Sequence, residues 1–434
     1  MAVMATLLLL VECMAVAQNG FNMPYSQFGI GLGEMPYNMP MAARMGGAVY
    51  TRSGNNIINP FNPASYGSIG MQSLVFDMGL NIQLSTLQDH QQSVHDADGN
   101  IGYLAIGLPL TKWWKLAAGL MPYSSVDYDV VIPSDGITTR YDGTGGANEI
   151  FLGTAFDIPA GEGRSLAVGF NVGYLTGSIE RAITYTFDSS YAYHLNSRKQ
   201  RDSKLSNVLF DAGLQFRQAL GENYTIGLGL TYKPYQKMSM SETAMIYTFY
   251  RTSSGEALLD TVFPARGDSE EIESTLEQPH TLGIGLSLER NGKWQVAADA
   301  TLGAWNGMKY TEDASHRVFG EETLLSGSFS RYAIGFERIG NMDASTYWGR
   351  ISWGLGAHAE QGSIYLKVDG AERRIDQWGV GAGMSFPMRK GSSLLTVSVG
   401  YNSLGNTDVL QRNTVTFGIA ISSCERWFVK RKYN

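Results

Sequence analysis

Residues 74–85 place Leu74, Phe76, Met78, Leu80, Ile82 and Leu84 in alternation with Val75, Asp77, Gly79, Asn81, Gln83 and Ser85. Successive side chains of a β-strand point to opposite faces, so the pattern predicts a strand with one apolar face and one small or polar face. It returns at Val208, Phe210, Ala212, Leu214 and Phe216 against Leu209, Asp211, Gly213 and Gln215. Tyr224, Ile226, Leu228, Leu230 and Tyr232 repeat it against Thr225, Gly227, Gly229 and Thr231. A β-sandwich also alternates, so no single segment decides between the two. Regularity over the whole chain does.

Fourteen segments are predicted, at 73–86, 101–110, 115–126, 148–158, 165–179, 204–218, 223–236, 279–289, 293–305, 328–338, 347–359, 375–387, 393–402 and 411–422. Connections at 111–114, 159–164, 219–222, 290–292, 339–346 and 388–392 are short. Those at 87–100, 127–147, 180–203, 237–278, 306–327, 360–374 and 403–410 are mostly much longer. Short turns alternating with long loops mark an antiparallel barrel crossing an outer membrane, with the short turns periplasmic. The expected fold class is all-β, a 14-stranded transmembrane β-barrel over residues 71–434 of a Gram-negative outer membrane, with both termini periplasmic. Trp113, Trp114, Tyr123, Tyr128, Tyr232, Tyr235, Trp294, Trp305, Trp348 and Trp378 fall near strand ends. Amphipathic rings favour the headgroup level there, although aromatic residues favour strands in any setting.

Composition agrees. Charged residues are 17% of the chain, and glycine, at 51 residues, is abundant. Glycine weakens a strand but leaves room on the inside of a barrel. Beyond the N-terminus no apolar run reaches the roughly 18 residues of a spanning helix, so a membrane reading requires a closed barrel. The net charge of −7 offers nothing to nucleic acid. Residues 1–17 read as a signal peptide, with Thr6–Val11 as the apolar centre and Ala15-Val16-Ala17 as the cleavage site. Its removal takes Cys13 and leaves Cys424, which excludes an internal disulfide or a cysteine-cluster metal site.

Residues 18–70 hold neither period. They carry Gly29, Gly31, Gly33, Gly46 and Gly47, five prolines, and Met23, Met35, Met39, Met41 and Met45. A run of about 50 structureless residues needs an explanation in a compact protein. The lumen is the natural place for it, as a plug, and methionine suits packing against irregular surfaces.

The stretch Ala43-Arg44-Met45-Gly46-Gly47-Ala48, followed by Asn62-Pro63-Ala64, resembles the hatch signature of the FadL/TodX family of outer-membrane transporters of hydrophobic compounds. Gly119-Leu120-Met121-Pro122-Tyr123 resembles that family's third strand and Gly173-Tyr174-Leu175-Thr176-Gly177 its fifth. Leu230-Thr231-Tyr232-Lys233-Pro234, Pro279 before Thr281-Leu282-Gly283-Ile284-Gly285, and Ala298-Asp299 ahead of Trp305 follow in order. The end, Glu425 to Tyr433, is similar to family members from Bacteroides-like bacteria. The resemblance spans essentially the whole mature chain. It implies passive, porin-like uptake of long-chain fatty acids or similar hydrophobic molecules. The hatch residues Gly46, Gly47, Asn62, Pro63 and Ala64 would form the gate, and a kink at Pro122 would allow lateral release.

On the same resemblance, the capture groove would lie in two outer loops and draw on Tyr185, Phe187, Tyr191, Tyr193, Met245, Tyr247, Phe249 and Tyr250. Exposed apolar clusters of this kind mark ligand or partner sites, while simple extension of the strands would also produce them. The expected partners are a fatty-acid-like ligand, outer-membrane lipid and lipopolysaccharide, and the barrel-assembly machinery, for a monomer needing no cofactor and no metal. A surface scaffold in protein secretion is the alternative. Enzyme readings find no support. There is no G-x-S-x-G elbow, and the six histidines are scattered. Asp96, Asp98 and Asn100 begin like a calcium loop, but Ile101 and Gly107 stand where glycine and glutamate are required.

Overall fold

A computed structural model of the chain describes residues 23–27, 29–33, 35–90, 92–188, 194–252, 255–263, 271–304, 310–312, 327–362, 365–368, 371–388 and 393–426. Fourteen strands form a closed antiparallel ring. They are β1 (Ser73–Gln88), β2 (Ser93–Pro109), β3 (Trp114–Ser134), β4 (Ile137–Pro159), β5 (Arg164–Phe187), β6 (Asn196–Leu220) and β7 (Tyr224–Lys233). The ring continues through β8 (Thr281–Arg290), β9 (Trp294–Gly303), β10 (Phe329–Arg338), β11 (Ser352–Gln361), β12 (Gln377–Met388), β13 (Ser393–Asn406) and β14 (Leu410–Arg426). β14 returns to β1 in unbroken register from Ser73↔Arg426 to Gln88↔Gln411. Every expected strand is present.

Alternation sorts the side chains as the sequence pattern requires. On β1, Leu80, Ile82 and Leu84 face outward, while Asp77, Asn81, Gln83 and Ser85 are buried inside. Val208 and Phe210 are each 53% exposed on the outer face of β6, with Leu209 buried behind them. Outward leucine, valine and phenylalanine meet lipid at no cost, whereas inward polar groups must find partners.

The outer connections differ from expectation. Instead of long loops at 87–100, 127–147, 180–203 and 237–278, much of each stretch continues as strand. β4, β5 and β6 reach 23, 24 and 25 residues. A tilted strand needs only about 9–11 residues to cross a bilayer, so these project well beyond it. Alternation there is of polar with polar, as in Thr138, Thr139, Arg140 and Tyr141. The hydrophobic period fades although the ladder still satisfies the backbone. On the opposite end the turns are short, except that 347–350, expected to open a strand, form a helical turn at Tyr347–Arg350.

β7 and β8 both stop at proline. Pro234 follows β7 and Pro279 precedes β8, side by side, because neither can donate to the ladder. Above the break the sheet resumes as Gln236–Thr252 and Glu271–Gln278, which pair with each other and, through the former, with β6. His280 Nδ1 fills the gap, accepting from Tyr235 N at 3.0 Å and lying 2.7 Å from the Tyr232 hydroxyl.

The described residues between Met23 and Gly70 run inside the ring. Met39, Val49, Tyr50, Ile58, Tyr66 and Ile69 form a core with inward residues of β1 to β4, among them Val75, Tyr103, Ala117 and Phe151. Wall glycines make the fit possible: a Cβ on Gly229 would strike the Tyr50 carbonyl, and one on Gly381 that of Ala43. Met23, the first described residue, binds near Asp127 and Arg412 in the outer half of the lumen, far from Ser73 at the short-turn end. The two ends of the barrel domain therefore share one side, whereas Met23 lies near the other. Of the aromatic positions, Trp113, Trp348, Trp378, Tyr232 and Tyr235 are exposed. Tyr123 and Tyr128 turn inward instead. Trp305 lies outside the described residues.

Candidate functional site

The ladder between β2 and β3 is incomplete. β2 and β3 pair only from Leu104↔Leu120 to Pro109↔Lys115. Outward of that point β2 stays with β1 and β3 stays with β4, leaving a slot between them. Both strands are irregular where they part. Gly102 is bulged out of the β1–β2 register, and the β3–β4 register shifts between Pro122 and Ser124, making Tyr123 the extra residue. A bulge bends its strand and ends local pairing, and Pro122 has no N–H to offer.

The plug lines this slot. Leu32 and Gly33 pair with Ser125 and Ser124, occupying the edge of β3 that β2 abandons. Met23 N donates to Asp127 O at 2.6 Å, and Ser26 Oγ accepts from Asp127 N at 3.0 Å. Immediately inside is a small pocket lined by Met35, Met39, Phe61, Met121 and Pro122 together with Asn38, Asn81, Asn100 and Gly102. Further outward Ile30 packs with Val126, Tyr128, Leu175, Ile179, Leu205, Leu209, Met238, Met240 and Leu276, a second apolar cluster inside the barrel.

The opposite wall is charged. Glu337 on β10 receives Arg44 at 2.7 Å and Arg52 at 3.0 Å, all three buried. Asp299 on β9 accepts from the backbone of Val49 and Tyr50 at 2.5 and 2.9 Å. The Tyr50 hydroxyl meets Thr301 at 2.7 Å, with Arg331 within 3.5 Å. Gly46 and Gly47 turn the chain here at φ of +62° and +83°, a region that favours glycine.

The expected gate residues sit on the plug. Asn62 caps the 3-10 turn Pro63–Ser68 by accepting from Ala64 N, and its Nδ2 donates to Tyr50 O at 2.7 Å and Leu214 O at 3.3 Å. Pro63 and Ala64 rest against Gly169 and Pro63 against Gly213. Gly46 lies on the backbone of β11 at Ala357.

The expected groove residues lie on strands rather than loops. β6 pairs with both β5 and Gln236–Thr252, so Tyr185 and Tyr247 flank it. Phe249 is buried, Tyr185 and Tyr250 are exposed, and Phe187, Met245 and Tyr247 are intermediate. Tyr191 and Tyr193 lie outside the described residues. The described ones lie along one extended wall. The apolar lining that the structure forms, Leu175, Leu205, Leu209, Met238 and Leu276, was legible in principle. Each is a large apolar residue in the inward phase, where small or polar residues are the rule.

A closed ring of this size with its N-terminal segment packed inside is the fold of the FadL/TodX-like outer-membrane barrels. The CymD monoaromatic hydrocarbon channel superposes with a TM-score of 0.55 at 13% identity, over 89% of this chain and 97% of that one. The Pseudomonas putida toluene transporter TodX gives 0.54 at 15% identity over 91% and 98%. A Pseudomonas aeruginosa FadL homologue gives 0.56 at 10% over 91% and 99%. At such identity the likeness is one of fold. The BamG family model matches residues 1–434, and the chain belongs to the BamG family. No curated protein matches it.

Proposed function

We propose that the protein lets hydrophobic small molecules, long-chain fatty acids or other apolar compounds, enter across the outer membrane through the β2–β3 slot. The slot carries the reading. Here two neighbouring barrel strands part over their outer portions, and apolar side chains back the opening on the inside. An apolar ligand gains nothing from a water-filled bore, so a sideways path between the apolar lumen and the bilayer suits its partitioning. Passage is downhill. The plug segment at Leu32 and Gly33, which covers the β3 edge, is the gate, and Gly46, Gly47, Asn62, Pro63 and Ala64 keep the rest of the plug seated. The CymD hydrocarbon channel and the toluene transporter TodX, which share the fold, support the same reading.

Deleting Tyr123 tests it, because removing the extra residue returns β3 to regular pairing. Net ladder hydrogen bonds contribute about 0.5–1.5 kcal/mol each, so a few restored bonds should slow entry more than tenfold. Entry of a hydrocarbon or fatty acid into proteoliposomes is the readout, with heat-modifiable gel migration confirming a folded barrel. Equal entry with and without Tyr123 would end the proposal. The second reading, a surface scaffold for secreted proteins, draws on the tall outer wall of β4, β5 and β6. It predicts specific co-purification of secreted proteins that is lost when that wall is shortened.

A further inference from the structure

Two buried polar atoms in the slot pocket have no partner. Asn81 and Asn100 stand directly opposite each other on β1 and β2. Both line the pocket among Met35, Met39, Phe61 and Met121. The amide of Asn81 is oriented by its own bond, since Nδ2 donates to Asn38 O at 2.8 Å. Its Oδ1 therefore points away from that bond, buried and unpaired, and Asn100 Oδ1 is likewise buried and unpaired. Asn81 as a whole is 3% exposed. A buried acceptor without a donor costs about 1–3 kcal/mol, which a ligand supplying the donor would relieve.

The mouth of the slot adds a charge filter. Asp127 on β3 lies within electrostatic reach of Asp96 and Asp98 on β2, and of its neighbour Asp129. Two arginines offset them in part. Arg140 forms a two-bond pair with Asp129 at 2.8 Å. Arg412 bonds Ser85 Oγ and lies near the Met23 sulfur. With four carboxylates against two guanidinium groups the rim is net negative.

We infer that the slot selects apolar molecules carrying one neutral hydrogen-bond donor, an alcohol, phenol or amide, over ionised carboxylates of the same size. Two carbonyl oxygens in one pocket can accept from such a donor and repel a carboxylate, and the acidic rim repels it earlier. Fatty acids in their ionised form are thus the wrong end of the expected substrate range. The inference rests on the slot being the route proposed above, and narrows it.

Equilibrium dialysis of the purified full chain against p-cresol, p-xylene and p-toluate at pH 7 tests the choice with three molecules of one shape. One neutral hydrogen bond should favour cresol over xylene about three- to tenfold, with toluate weakest. Asn100→Leu leaves the Asn81–Asn38 bond and the Asn81 acceptor in place and should reduce the cresol preference. Asn81→Leu combined with Asn100→Leu, checked for a folded barrel by heat-modifiable migration, should bring cresol to the affinity of xylene. Toluate binding tightest, or a cresol preference that survives removal of both asparagines, would overturn the inference. If none of the three binds while entry still depends on Tyr123, the route stands and the selectivity falls. If entry is also indifferent to Tyr123, both fall.

Discussion

The plug meets two opposite walls of the barrel in two different ways. β10 lies halfway round the ring from β3. At β9 and β10 the plug is held by charge: Arg44 and Arg52 on Glu337, and the backbone of Val49 and Tyr50 on Asp299. At β2 and β3 it is held by two strand residues, a few backbone bonds and methionines. Buried ion pairs are costly to separate because each charge is left without water. Short edge pairing and methionine contacts rearrange cheaply. One end of the plug is therefore an anchor and the other a latch, and movement, under the proposed route, belongs to residues 23–39 rather than to the whole plug.

Breaking the anchor should have the largest effect. Glu337→Leu strands two buried guanidinium groups and should destabilise the seated plug by about 3–5 kcal/mol. Limited proteolysis within residues 40–60 of the folded barrel would reveal it. A plug as resistant as the wild type would mean that the charged wall is not the anchor. Asn62→Ala removes a cap and two carbonyl contacts while sparing the ion pairs, and should cost about 1–2 kcal/mol. The same proteolysis should show an intermediate sensitivity. Pro122→Ala restores a single backbone donor at the latch, worth about 1 kcal/mol, and should slow entry about fivefold with no change in proteolysis. Deletion of Tyr123 should act in the same direction and more strongly. A Pro122→Ala plug that loosened would erase the distinction between the two walls.

Much of this was legible in the chain. Alternation located every barrel strand, because lipid and lumen impose opposite demands on successive side chains. The lack of either period in residues 18–70, with its glycine, proline and methionine, marked the segment that is packed inside. The outer ends of β2 to β6 were not legible. Polar alternation looks like loop when periodicity is judged by hydrophobicity, yet Thr138 to Tyr141 ladder as well as Leu80 to Leu84. Tyr123 and Tyr128 are not interfacial. Tyr123 keeps the inward phase of Lys115 and Ala117, and the bulge after Pro122 turns the phase of β3 so that Ser124, Val126 and Tyr128 face inside.

The sequence by itself determined the strand number, the lipid-facing residues, the side carrying the short turns and the existence of an internal segment. All of these follow from local rules that each strand obeys alone. Only the tertiary structure decided that the β2–β3 seam opens, that Glu337 gathers Arg44 and Arg52 across nearly 300 residues of chain, and that Asn81 and Asn100 are left without donors. Pairing between edges, burial of charge and leftover acceptors are relations between distant segments, and they acquire an energy only when the ring closes around the plug.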